Sequence, residues 1–337
     1  MFKFRRKTAL VKKLLKEASR PANGPSDEGL CYQKLAALLR KLNANQLEML
    51  HQVVTTKGKG NFGCVLVEND GIVEDPHLLC CKSWRWSDDW RRDEIRRLPV
   101  CGSARDKVYV CINPYHLSKL CIPDSIPPPY SCLDHINPED RAQIDSRLVF
   151  RDSYAESLTT NGENSSSRNY WCQLAYWERR KRVGRLFPVE LPYVNIFWDV
   201  PYGDGISIKE LSRDNTDADM VKARQKIGLG ITVSREPTGI WVYNRSSVPI
   251  FVNSITLRDE KSSSPIRVPD QQCLCVFDVD RASRMVDFAN NSMDTMDGPI
   301  DRNSITISFG KGWGLNYSRM EISSCPCWIE ILLAPCR

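Results

Sequence analysis

The sequence predicts an α+β protein of two domains: a small, α-rich, cysteine-bearing N-terminal domain and a C-terminal β-sandwich with helices and long loops. Three observations predict it. Helical periodicity is concentrated in the first hundred residues. After Tyr170 the pattern changes to short runs of aromatic and β-branched residues punctuated by Gly, Pro and Asn. The length, 337 residues, exceeds what one ordinary core serves at roughly 100–200 residues per domain.

Residues 3–19 and 28–42 have helical spacing, with Leu35, Leu38, Leu39 and Leu42 on one face. Pro21–Pro25 separates them. Asn45 is a candidate N-cap for a third helix whose Leu47, Leu50 and Val54 face inward. Strand-like runs follow at 63–68 and 78–84, and Ser87-Asp88-Asp89 opens a charged helix to about Leu98. The domain ends at about 121. From 122 to 169 a proline cluster (Pro123, Pro127, Pro128, Pro129) gives way to acidic and polar sequence that cannot bury a core and reads as a linker. In 170–337, strands are expected at 171–178, 183–189, 193–198, 229–235, 239–244, 248–253, 273–278, 304–309 and 326–333, with one helix at about 215–227. That spacing favours a sandwich over alternating βαβ units.

Composition narrows the function. With 42% hydrophobic and 26% charged residues the chain is neither collagen-like nor wholly disordered. No apolar run approaches the roughly 18 residues that span a bilayer, and the basic start lacks a signal peptide's apolar region. The expectation is a soluble intracellular protein. Within 1–27, the first twenty residues carry eight Lys or Arg against Glu17 alone, so the net charge of +6 resides there. Such a segment suits nuclear import, a nucleic-acid or anionic-lipid arm, or a solvated helix face.

Fourteen cysteines in a chain with no secretory signal suggest metal before disulfides. Cys101, Cys111 and His116 form C-x9-C-x4-H with Cys64 upstream; three thiolates and an imidazole suit a structural, tetrahedral Zn²⁺. His77, Cys80, Cys81, Cys121 and Cys132 compete as ligands. Cys273, Cys275, Cys325 and Cys327 read as buried packing. No metalloprotease, deaminase, nucleophile-elbow or phosphate-loop pattern appears, and no enzyme is expected.

Several strings resemble the Smad family: Cys111-Ile-Asn-Pro-Tyr-His116 at the end of a Mad-homology 1-like domain (28–121), then Trp171-Cys-Gln-Leu-Ala-Tyr-Trp-Glu178, Lys226-Ile-Gly-Leu-Gly-Ile231, Trp241-Val-Tyr-Asn-Arg-Ser-Ser247, Lys311-Gly-Trp-Gly314 and Cys325-Pro-Cys-Trp-Ile-Glu330 in a Mad-homology 2-like domain. The tail, Leu333-Ala-Pro-Cys-Arg337, lacks the Ser-Ser-x-Ser of receptor-activated members, and with the basic opening it resembles the inhibitory Smads. The resemblance implies a non-enzymatic negative regulator of TGF-β/BMP-superfamily signalling, with zinc on Cys64, Cys101, Cys111 and His116. The family's DNA-reading hairpin corresponds to Glu68–His77, where four carboxylates and no Arg or Lys would repel phosphates. Weak or absent DNA binding is expected; the alternative is a DNA-binding transcriptional Smad of the common-mediator type.

The resemblance also implies two docking surfaces. Lys222, Lys226, Lys311 and Arg319, with Gly312, Trp313 and Gly314, would bind the activated type I serine/threonine kinase receptor, whose phosphates suit a Lys/Arg cluster. Trp313 would contact the partner, and Trp328, in an apolar strand, would be buried. Other Smads are further expected partners. Pro127, Pro128 and Tyr130 fit Pro-Pro-x-Tyr, a polyproline II ligand for the WW domain of a HECT-type ubiquitin ligase.

Overall fold

The computed structural model describes residues 2–18, 25–59, 62–69, 75–86, 90–103, 106, 108–122, 170–199, 205–212, 217–257, 264–291 and 303–334. The proline cluster and the rest of 123–169, including Pro127, Pro128 and Tyr130, lie outside them.

Helices α1 (Phe2–Glu17), α2 (Pro25–Lys41) and α3 (Ala44–Thr55) meet where their 3.6-residue stripes coincide. Leu35, Leu38, Leu39, Leu42, Leu47, Leu50 and Val54 are buried as the periodicity predicts. Val11 and Leu14 of α1 join that core, and the Trp84 indole donates to the Leu14 carbonyl at 3.2 Å. The basic segment is therefore a packed helix with a solvated cationic face, not a free arm. The cap of α3 is Asn43 rather than Asn45: Asn43 is extended and exchanges hydrogen bonds with Gln46 in a capping box.

Two expectations are corrected here. Residues expected as a strand at 78–84 form α4 (Pro76–Trp84). Pro76 opens the helix, and Leu79, Cys80, Ser83 and Trp84 all fall on its buried face. A short apolar run cannot be assigned by periodicity alone. The charged helix expected to Leu98 is instead a single 3-10 turn, Arg92–Glu94, running into strand β2 (Ile95–Arg97). β2 exists because β4 (Leu117–Leu120) supplies its partner. Strands β1 (Leu66–Glu68) and β3 (Tyr109–Cys111) form a separate antiparallel pair.

The C-terminal half is the predicted sandwich. A six-stranded antiparallel sheet runs β12 (Ile266–Val268), β11 (Ile250–Ser254), β14 (Ser304–Phe309), β15 (Cys327–Leu333), β5 (Cys172–Glu178), β6 (Lys181–Val189). The second sheet holds β13 (Gln272–Asp278), β10 (Gly239–Asn244), β9 (Ile231–Glu236), β7 (Tyr193–Phe197) and β8 (Gly205–Ser207). Ile231, Val233, Val242 and Val276 of one sheet meet Leu174, Ile307, Ile329 and Ile331 of the other in a single core. Each such fully buried side chain contributes about 1.5–3 kcal/mol. Helices α5 (Ile208–Leu211), α6 (Ala218–Gln225) and α7 (Val279–Asn291) complete it; periodicity found only α6.

The second sheet does not stop at the sandwich. β13 pairs in parallel with β4, and β4 with β2, so the sheet becomes seven-stranded by continuing into the N-terminal half. The Cys121 N–H donates to the Cys273 carbonyl at 2.8 Å. Leu98 and Leu120 pack with Trp241, Tyr243 and Cys273. The Arg85 guanidinium donates to the Gln271 side-chain oxygen and to the carbonyls of Pro114 and Leu117. The two halves are thus joined by a shared sheet.

Candidate metal centre and docking surface

Four loops and strand ends converge at the first site. Cys64 precedes β1; Cys101 follows β2, its N–H bonded to the Leu98 carbonyl; Cys111 ends β3. His116 closes a 3-10 turn (Pro114–His116) capped by the Asn113 side chain, which accepts from the Tyr115 N–H at 3.0 Å. Their ligand atoms all lie within 4.8 Å of one another. Cys64 Sγ is 3.9 Å from Cys101 Sγ and 3.6 Å from His116 Nδ1, and Cys111 Sγ is also 3.6 Å from Nδ1. A tetrahedral zinc with bonds of about 2.3 Å to sulfur needs ligand atoms roughly 3.5–3.8 Å apart, so these residues fit the ion.

The surroundings prepare it. His116 Nε2 lies 3.0 Å from the Phe62 carbonyl and donates to it, which fixes the tautomer and aims Nδ1 at the sulfurs. The Asn113 N–H approaches Cys111 Sγ at 3.4 Å and the Ser103 hydroxyl approaches Cys101 Sγ at 3.4 Å. Hydrogen bonds from Cys111 and then Cys64 lower the Cys101 thiol, while the same bonds raise Cys111, so the clustered sulfurs share protons that a bound ion would displace. Burial pulls His116 down, but its hydrogen bonds to Cys101 and Cys64 outweigh this and raise it to about 9, so ion binding must displace the Nδ1 proton that these thiols hold. The competing ligands lie elsewhere: Cys80 packs in the helical core, Cys81 donates to the Pro114 carbonyl, and Cys121 to that of Arg267. Cys132 lies outside the described residues. His77 is half-buried and outside the cluster.

The second site is surface. Lys222 on α6 and Lys226 at its C-cap are exposed; Arg224 between them is 1% exposed and binds Glu178 of β5 at 2.6 and 2.8 Å. Ser212 adds a hydroxyl to the same carboxylate at 3.1 Å. Lys311 and Arg319 are half-buried in the Gly-rich loop, where the Gly314 N–H donates to the Arg319 carbonyl at 2.7 Å and Gly314 sits at φ 95°. Trp313 is corrected. It is only 6% exposed and packs with Phe251, Ile322, Cys325 and Trp328 beneath the loop. Gly312 is buried against the Tyr317 ring. Trp328 is buried as expected and stacks on Trp177 at 5.0 Å. Of the remaining cysteines, Cys273, Cys325 and Cys327 are buried and Cys275 half-buried. The sequence reading missed the Glu178–Arg224 pair, since residues 46 apart give no local signal. The Asn-Pro at 113–114 could have revealed the turn that sets His116.

A helical module holding a Cys3His cluster is thus joined to a sandwich that carries cations at its surface. The MH1 domain family matches residues 31–121 and the MH2 domain family residues 169–334. "Mothers against decapentaplegic homolog 6" of Gallus gallus is 42% identical over 88% of this chain and 74% of its own length. "Mothers against decapentaplegic homolog 7" of Mus musculus is 35% identical over 93% and 81%, and "Dwarfin sma-3" of Caenorhabditis elegans 27% over 92% and 88%. The chain belongs to the Smad family, within its inhibitory branch.

Proposed function

We propose that this chain is a non-enzymatic adaptor of cytoplasm and nucleus that represses TGF-β/BMP-superfamily signalling. Its C-terminal domain occupies the phosphorylated type I receptor or a partner Smad and so blocks signalling Smads. One observation carries this reading: Lys222 and Lys226 share the exposed face of α6, whose opposite face is anchored to β5 by the buried Arg224–Glu178 pair. Cations held on rigid elements suit phosphates. Trp313 supports the loop from below rather than touching the partner. Structural Zn²⁺ on Cys64, Cys101, Cys111 and His116 holds the first domain together. Pro127, Pro128 and Tyr130 recruit a HECT-type ubiquitin ligase through its WW domain.

The test is binding of the full chain to a type I receptor cytoplasmic domain, phosphorylated and unphosphorylated. Binding that needs phosphate and is abolished by Lys222/Lys226/Lys311/Arg319→Glu supports receptor occupancy; binding indifferent to both discards it. A common-mediator role is the second reading, and selective binding of a Smad-box duplex at physiological salt would favour it.

A further inference from the structure

The four residues of the metal cluster are not equally covered. Cys101, Cys111 and His116 are 2%, 1% and 8% exposed, whereas Cys64 is half-buried and meets solvent. Cys64 therefore forms the open side of the site.

The sulfurs also differ in what they touch. The Ser103 oxygen accepts from the Cys111 N–H at 3.1 Å and from Arg97 Nη1 at 3.2 Å, which leaves its hydroxyl hydrogen for Cys101 Sγ. Cys111 Sγ accepts from the Asn113 N–H. Among the described residues, no N–H or hydroxyl from outside the cluster reaches Cys64 Sγ, which meets only other members of it. A hydrogen bond to a thiolate draws electron density from it, as the contacts behind a metal ligand do generally. Cys64 is thus the most accessible sulfur and the most electron-rich, the two properties that decide which thiolate an oxidant attacks.

A second thiol is within reach. Cys101 Sγ lies 3.9 Å from Cys64 Sγ, and a disulfide needs the pair to close to about 2.05 Å. Both residues sit in loops beside a glycine, Gly63 and Gly102, and the space beyond Gly102 is open to 4 Å. Cys111, in contrast, is held in β3 by its pairing with Leu66.

We propose that Cys64 is a site of oxidation by hydrogen peroxide, that Cys101 closes a disulfide onto it, and that this bond ejects the metal. This rests on the zinc reading above. The Cys64 thiolate attacks one oxygen of the peroxide; the O–O bond breaks, hydroxide leaves and Cys64 becomes a sulfenic acid. The Cys101 thiolate then attacks the Cys64 sulfur, the S–S bond forms and the sulfenic hydroxyl leaves as a second hydroxide. The two sulfurs have given two electrons to the peroxide, and two protons from solvent convert both hydroxides to water. Cys111 and His116 are then the only ligands left where structural zinc takes four, so the ion departs. A thiol reductant reverses the step.

The test treats the zinc-loaded full chain with hydrogen peroxide beside a chromophoric zinc chelator, with an untreated sample as control, and maps disulfides by mass spectrometry of its peptides. About one zinc per chain should be released in step with a Cys64–Cys101 disulfide, and dithiothreitol with added zinc should restore the loaded form. Cys64→His keeps a fourth ligand but removes the oxidisable sulfur, and should release zinc about tenfold more slowly. If that variant does not hold zinc, the wild-type peptide map decides alone. Zinc release without the Cys64–Cys101 bond, or zinc retained while the half-buried Cys31 and Cys275 are oxidised, overturns the proposal and leaves the zinc reading standing. A reduced chain that takes up no zinc overturns both.

Discussion

The Arg96 guanidinium lies over the Trp241 ring, 3.6 Å from its centroid, and ion-pairs with Glu236, whose other oxygen accepts the Tyr243 hydroxyl at 2.6 Å. Arg96 belongs to β2 of the N-terminal domain; the other three belong to the sandwich. This contact and the β4–β13 pairing turn two family domains into one sheet. The Arg96 side chain is 32% exposed, so its charge is partly screened and the ring contact is the firmer part.

Arg96→Ala and Trp241→Ala should therefore be coupled. A double-mutant cycle read by chemical denaturation is expected to give a coupling of about 0.5–2 kcal/mol. Additive losses would mean that the ring contact contributes nothing. Trp241→Ala alone should cost more, about 3–5 kcal/mol, because it also opens a cavity.

Zinc content is the next check. The purified chain should carry about one zinc per molecule and Cys111→Ser should lose it, read by elemental analysis, with a large fall in melting temperature because metal-binding energy is folding energy. β4 begins immediately after His116. Chelation should consequently speed hydrogen exchange at the Cys121 amide, which bonds across the interface.

His77 supplies a pH dependence. Burial, then the Arg97 charge, lowers it from 6.5 to about 4, and its Nδ1 is buried with no hydrogen-bond partner among the described residues. Above pH 6.5 it is neutral folded or unfolded and has no effect. Below 6.5 the unfolded chain takes up the proton first, so stability is lost as pH falls toward about 4. Solvent screens this half-buried group in part, so the loss should be about 1–3 kcal/mol. His77→Leu should flatten the stability curve between these values; an unchanged curve would assign the acid sensitivity elsewhere.

Breaking the buried Glu178–Arg224 pair from one side should be severe. Glu178→Gln or Arg224→Met leaves one charge buried and uncompensated, a loss of about 3–5 kcal/mol by thermal or chemical denaturation. Replacing both with apolar residues should recover much of it. If it does, the variant also asks whether the pair is needed to hold α6 beside the β5–β6 turn.

Much of the fold was legible in the chain. The sandwich strands followed from alternating aromatic and β-branched runs, and the three N-terminal helices from Leu spacing, because both depend on local periodicity. The metal ligands were legible only through the family resemblance, since spacing alone left His77, Cys80, Cys81, Cys121 and Cys132 as competitors. Residues 78–84 and 90–98 were misread because a short apolar run and a charged run take whichever form their neighbours complete: α4 is settled by burial of Leu79 and Trp84, and β2 by β4.

The sequence by itself determined the family, the helical and strand patterns, and the chemistry of the candidate ligands, because these reside in residue type and spacing. Tertiary structure alone decided that Trp313 faces inward, that Arg224 is spent on Glu178, that Cys64, Cys101, Cys111 and His116 converge within 4.8 Å, and that β4 completes a sheet begun in the other domain. The physical reason is separation along the chain. Each of these outcomes depends on a partner distant in sequence or on which face a neighbour covers, and local propensity carries no record of either.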